Sequence, residues 1–278
     1  MSNQRTHYVT TSDGVTIGGT VHGEGPPLVF LQGAIGDCDL DWNRVVGHLT
    51  GRFTCHLPSL RGRGLSGDHP DLSLGRMVDD VLAYVDSLGE PTGLVGWSGG
   101  AYLAVTVAAT QSEAVAAVAP FEPGVLSLAD EQEQAVMGNA VARTGELAAA
   151  GNLTAAVRAF AGWPFSDEEI ALADDAGYFE AAGRYVPNLL NLLQQWMAYE
   201  GPSADDPAVL GAISAPVLVL LGSDTRPFFT ASARHMTDHI PNARIHAIPG
   251  VGHAAPLTHP EALAEALTEF FAHVQQPA

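Results

Sequence analysis

The chain has 278 residues, 46% of them hydrophobic and 15% charged, which suits one large α/β core or a core carrying a modest insertion. A net charge of −19 argues against nucleic acid and anionic membrane as partners, and no run of eighteen apolar residues marks a transmembrane helix. All twelve basic residues are arginine, which excludes a lysine Schiff base and a Walker-type phosphate lysine.

The N-terminus, Met1-Ser2-Asn3-Gln4-Arg5, is polar and lacks the apolar stretch of a secretory signal, so a cytoplasmic protein is expected. Residues 7–22 read as a hairpin about the turn Ser12-Asp13-Gly14. Leu28-Val29-Phe30-Leu31 is a buried strand ending in Gln32-Gly33, and 41–50 has helical spacing. A strand at 53–57 leads to the glycine-punctuated loop Arg61-Gly62-Arg63-Gly64-Leu65-Ser66-Gly67 and an amphipathic helix over 74–88. Cys38 and Cys55 lack C-x-x-C spacing and read as free thiols. The strand at 93–95, the helix at 101–109 and the strand at 115–119 continue the alternation, which stops near Pro123. From about 126 to 210 the sequence is helical and Ala-rich. Alternation resumes with a strand at 216–221, a helix over 231–239, a strand at 244–248 and a helix over 260–273. Short apolar strands alternating with helices predict a mostly parallel central sheet covered on both faces.

Gly96-Trp97-Ser98-Gly99-Gly100 sits between a strand and a helix as G-x-S-x-G. Glycines two positions either side of a serine allow a tight turn that projects its hydroxyl out of the sheet. A serine hydroxyl near neutral pH needs a base within reach and an acid to orient that base. The base candidate is His253, in a glycine loop between the last strand and the last helix. His235 and His239 share a helix face, but no glutamate beside His235 completes H-E-x-x-H, so no metal site is expected. The backbone N–H groups of Ala34, after the early strand, and Gly99, after the serine, are the candidate oxyanion hole.

On these motifs the chain resembles the α/β-hydrolase superfamily, in its subgroup with a helical cap inserted after strand six. The resemblance implies an α/β-hydrolase fold with core segments 1–125 and 213–278 and a cap over 126–212. Two positions depart from the family's usual pattern. Gln32-Gly33 stands where His-Gly is common, and Ser59 where an aspartate often precedes the R-G-x-G loop. Most relatives carry the third member of the triad as an aspartate after strand seven. Here Thr225 occupies that slot and Asp224 lies one residue early. The favoured acid is Glu122, at the carboxyl end of strand six. Relatives resembling zearalenone-lactone hydrolases, and an actinobacterial group with a Tyr-Glu-Pro-Pro segment, place the acid there. Asp224 is the alternative.

The implied activity is cofactor-free serine hydrolysis of a small-molecule ester or lactone by a monomer or homodimer. Gln32, Trp97, Trp163, Tyr185 and Trp196 are the expected substrate contacts, suited to an apolar or aromatic molecule. The same site could serve a carbon–carbon hydrolase, a perhydrolase or a lyase, and the fold can also carry a non-catalytic binding protein.

Overall fold

The computed structural model describes residues 5–274, so the polar residues 1–4 lie outside the described residues. Among those described, eight strands form one sheet: β1 (Arg5–Thr10), β2 (Thr16–His22), β3 (Pro27–Leu31), β4 (Thr54–Pro58), β5 (Thr92–Trp97), β6 (Val115–Phe121), β7 (Val217–Gly222) and β8 (Ala243–Ile248). Their order is β1-β2-β4-β3-β5-β6-β7-β8. The hairpin β1–β2 runs antiparallel and β2 meets β4 antiparallel; every later pairing is parallel. Strands β3, β5 and β7 are buried along their whole length, the reason they read as unbroken apolar runs rather than alternating ones.

Helices α1 (Cys38–Val46), α2 (Leu74–Asp86) and α3 (Gly99–Thr110) connect the early strands. Between β6 and β7 the chain forms only helices: α4 (Glu131–Ala149), α5 (Leu153–Ala161), α6 (Asp167–Asp175), α7 (Tyr178–Ala182), α8 (Val186–Met197) and α9 (Pro207–Leu210). After β7 come α10 (Pro227–His239), α11 (Ala255–Thr258) and α12 (Pro260–Val274). Helices α1 and α12 pack together, as do α2 and α3, so the sheet is covered on both faces. No described helix is long and apolar enough to cross a membrane.

Most boundaries shift by a residue or two from the sequence reading, and three of the shifts have a clear local reason. Helix α1 starts three residues early because the Asp37 carboxylate accepts the Leu40 N–H at 2.9 Å and caps it. Helix α10 starts at Pro227, where a missing N–H costs nothing in the first turn. Strand β6 runs two residues past 119, because Phe121 stays in register with Trp97. That extension carries Glu122 to the end of β6, beside the residue that follows β5. The carboxyl ends of β3, β5, β6, β7 and β8 thus lie along one edge, where ligands of open parallel sheets bind.

Candidate active site

Ser98 lies between β5 and α3 with φ 56° and ψ −116°. A Cβ at Gly96 would overlap the backbone of Gly100, and one at Gly100 would overlap the carbonyls of Leu31 and Gln32. The flanking glycines are therefore required by space. Ser98 N–H donates to the Phe121 carbonyl at 3.0 Å, tying the turn to β6. Among the described residues only Ser98 and Glu122 (φ 47°) are non-glycine residues at positive φ. Such a conformation costs on the order of 1–3 kcal/mol and persists where surrounding structure imposes it.

The Nδ1 of His253 lies 2.7 Å from Glu122 Oε2, with both side chains buried. Glu122 Oε1 accepts the Gly222 N–H at 2.9 Å, and Oε2 also accepts the Thr225 hydroxyl at 2.8 Å. The carboxylate is thus fully partnered without solvent. The imidazole stacks on Phe229, centroids 4.1 Å apart at 17°. The alternative acid, Asp224, is corrected: it is exposed, accepts from the neighbouring Ser223 hydroxyl at 2.9 Å, and has no bond to the histidine. A turn that shifts the acidic side chain by one residue has turned it to solvent. Thr225, in the slot where most relatives carry an aspartate, donates to Glu122 instead.

On the opposite wall the loop after β3 brings Ala34 to Gly99; a Cβ on Gly99 would lie 3.9 Å from Ala34 N. As the first residue of α3, Gly99 has no intrahelical acceptor for its N–H. The loop is tethered from beneath. Gly33 N–H donates to Asp41 Oδ2 at 2.8 Å, and Arg63 Nη1 donates to the carbonyls of Ala34 (2.8 Å) and Gly36 (2.7 Å). Asp41 Oδ1 accepts the Tyr178 hydroxyl at 2.9 Å, and Arg63 Nε donates to Asn188 Oδ1 at 2.7 Å. Burial raises the Asp41 carboxyl to about 7 and lowers the Arg63 guanidinium to about 10.

Of the expected substrate contacts, Gln32 has further partners and Tyr185 is corrected. Gln32 borders the cavity, but its amide donates to the Gly36 carbonyl at 2.7 Å and accepts the Leu60 N–H at 3.0 Å. Its amide, fully buried, braces the loop. Tyr185 faces away from the cavity; its hydroxyl donates to Asp37 at 2.6 Å and accepts the Gly64 N–H. Its helix turn points the ring at the Arg61–Gly67 loop, an orientation that spacing alone does not encode.

A cavity of about 120 Å³ lies between these walls and the helical insert, with Ser98, Ala34, Gly99 and His253 on its core side. The insert contributes Trp163, Phe165, Leu192 and Trp196. Every indole N–H here is already committed: Trp97 to the His253 carbonyl (2.8 Å), Trp163 to Glu133 (2.6 Å) and Trp196 to the Leu72 carbonyl (3.0 Å). The rings therefore offer carbon surface alone. Among the described residues no aspartate, glutamate or arginine lines the cavity. Among the described residues no group of three His, Cys, Asp or Glu side chains is placed to hold a metal ion. Sequence reading missed Thr225, Asp41 and Arg63 as supports of the site. For Arg63 the loop motif was visible, but its burial was not.

Comparison with known proteins agrees with this architecture. A protein of Mycobacterium tuberculosis named as a non-heme bromoperoxidase, BpoC, is 27% identical over 266 residues, covering 91% of this chain and 97% of that one. An alpha/beta hydrolase of Sphaerobacter thermophilus superposes with a TM-score of 0.76 at 28% identity, covering 95% of this chain and all (100%) of that one. A thermophilic esterase of Thermogutta terrifontis superposes at 0.74 over 98% of this chain and 100% of its own, with 23% identity, a likeness of fold. The sequence model of the alpha/beta hydrolase family matches residues 21–266, which spans strands β3 to β8, the serine turn and the histidine loop. The chain belongs to the alpha/beta hydrolase family.

Proposed function

We propose that the protein is a cofactor-independent serine hydrolase that cleaves a carboxylic ester or lactone of an apolar, aromatic-bearing small molecule. The observation that carries this reading is the buried His253–Glu122 pair at 2.7 Å, on a cavity that Ser98 shares. With Nδ1 donating to the carboxylate, Nε2 is the unprotonated nitrogen of the neutral ring and accepts the Ser98 proton as the hydroxyl attacks the carbonyl carbon. Glu122 then faces the imidazolium and offsets its charge. The amides of Ala34 and Gly99 hold the oxyanion of the tetrahedral intermediate. His253 returns the proton to the leaving alkoxide, and an acyl-enzyme on Ser98 remains. Water, deprotonated by His253, attacks the acyl carbon, releases the acid and restores the serine. Segments 1–125 and 213–278 act as the catalytic core, and 126–212 acts as a cap that selects substrates by shape. The absence of aspartate, glutamate and arginine from the cavity wall among the described residues supports a neutral substrate.

Labelling with a fluorophosphonate followed by peptide mass spectrometry tests the reading. The expected adduct lies on Ser98, and a p-nitrophenyl ester is converted to one acid and one alcohol. An unlabelled Ser98, or cleavage of a carbon–carbon bond in place of an ester, overturns it.

A further inference from the structure

The peptide linking His253 to Ala254 is gripped at both ends by different parts of the molecule. Its carbonyl accepts the Trp97 indole N–H at 2.8 Å, from the residue just before Ser98. Its N–H, on Ala254, donates to Glu169 Oε1 at 2.7 Å. Glu169 belongs to α6 of the helical insert, 7% exposed, and its other oxygen accepts the Ser166 N–H at 2.9 Å as half of a capping box. The carboxylate is thus shared between the start of its own helix and the histidine loop. Space has been cleared for it: a Cβ on Gly252 would lie 2.7 Å from Glu169 Oε1 and 2.9 Å from its Cδ. Gly252 has no positive φ to account for it, so the glycine before His253 is explained by the approach of this carboxylate.

We propose that Glu169 is a positioning residue for His253, so that the reactive placement of the imidazole depends on the insert being docked. The inference rests on the hydrolase reading above. The ring has a hydrogen-bond partner on Nδ1 and a stacking partner in Phe229, but neither fixes the backbone that carries it. The two grips on the 253–254 peptide do. With the insert lifted, the Ala254 N–H loses its acceptor and the loop is held from the core side alone. Closure over a substrate and assembly of the base are then one event, which protects the acyl-enzyme site from idle exposure.

The test uses the full chain and four proteins: wild type, Glu169→Ala, Glu169→Gln and Ser166→Ala. Each is assayed for kcat and KM on a small acetate ester, for the pH profile of kcat/KM, and for the low-field resonance of the His253 Nδ1 proton. Glu169→Ala is expected to lower kcat roughly 10- to 100-fold, the scale of a misplaced catalytic group, with KM for the small ester little changed. The Nδ1 proton resonance should broaden or move, and the pH profile should shift. Glu169→Gln, which keeps an acceptor for Ala254, is expected to recover most of the lost kcat. Ser166→Ala removes the helix cap and leaves the Ala254 bond, so it should lower the melting temperature without lowering kcat. Equal losses of kcat in Ser166→Ala and Glu169→Ala, or an unmoved resonance in Glu169→Ala, overturn the proposal and leave Glu169 a helix cap. A wild type that shows the Nδ1 proton but no serine labelling defeats the hydrolase reading instead, and the resonance still reports whether Glu169 holds the histidine.

Discussion

Ser98 and Glu122 occupy positive-φ backbone that neither residue type prefers, and each donates its N–H to a carbonyl of the adjacent strand, Phe121 and Leu220 respectively. Ser98→Ala is expected to lower kcat about 10⁴-fold or more with the melting temperature nearly unchanged, since no core contact is lost. Glu122→Gln should lower kcat by roughly 10³–10⁴, because the amide cannot both accept from Nδ1 and oppose the imidazolium. Asp224→Asn should cost less than about tenfold. Steady-state assays of the three variants check this, and a larger loss in Asp224→Asn than in Glu122→Gln would return the role to Asp224. Asp41 gives a prediction in pH. Burial holds its carboxyl at about 7, above the 3.8 of an unperturbed aspartate, so the unfolded chain releases that proton first. Stability from this group is therefore present at low pH and falls as pH rises through roughly 4 to 7. Asp41→Asn does not titrate, and its stability relative to wild type should improve by about 2–4 kcal/mol between pH 4 and pH 8. Denaturant melts at the two pH values measure the difference; a constant gap would mean that Asp41 stays ionised throughout.

At the scale of elements, the strands and most helices were legible because burial on both faces and one-sided amphipathicity leave plain patterns. The serine turn and the histidine loop were legible for a different reason: Gly96, Gly100 and Gly252 leave no room for a Cβ, so the motif is the geometry. What stayed hidden was direction. Tyr185 and Trp196 are both aromatic residues of the insert, yet one bonds Asp37 while the other reaches the cavity, a choice made by helix packing. Gln32 looked like a polar substrate contact because its two backbone partners, Gly36 and Leu60, are brought to it only by the fold. Arg61 was likewise read as part of a loop motif. It is fully buried, donating from Nε and Nη2 to Asp80 in α2 and from Nη1 to Asp13 in the β1–β2 turn. Arg61→Ala strands a buried carboxylate and should destabilise the fold by about 3–5 kcal/mol in urea titrations. A loss below about 1 kcal/mol would show that Asp80 finds water or a proton instead.

Across the whole molecule, a charge of −19 surrounds a cavity that, among the described residues, no aspartate, glutamate or arginine lines. The field acts on approach and not on fit. At low ionic strength a cationic ester should therefore show a several-fold higher kcat/KM than an anionic ester of the same shape, and the gap should close as salt is raised past about 0.15 M. Equal values at low salt would mean that the surface charge lies too far from the mouth to steer. With Glu122, just past β6, as the proposed acid, the proposed site also divides unevenly along the chain. Ala34, Ser98, Gly99 and Glu122 all precede the insert, and His253 alone follows it. Had the acid followed β7, it would have travelled with the histidine. The exposed turn at Gly151, between α4 and α5, is a natural place to cut. A protein expressed as residues 1–150 and 151–278 should be silent as separate halves and regain ester turnover on mixing. Turnover by the first half alone would count against His253 as the base. In such a two-piece protein the second piece would bring the proposed base, with the Glu169 and Phe229 that hold it, to a serine, an oxyanion loop and an acid carried by the first.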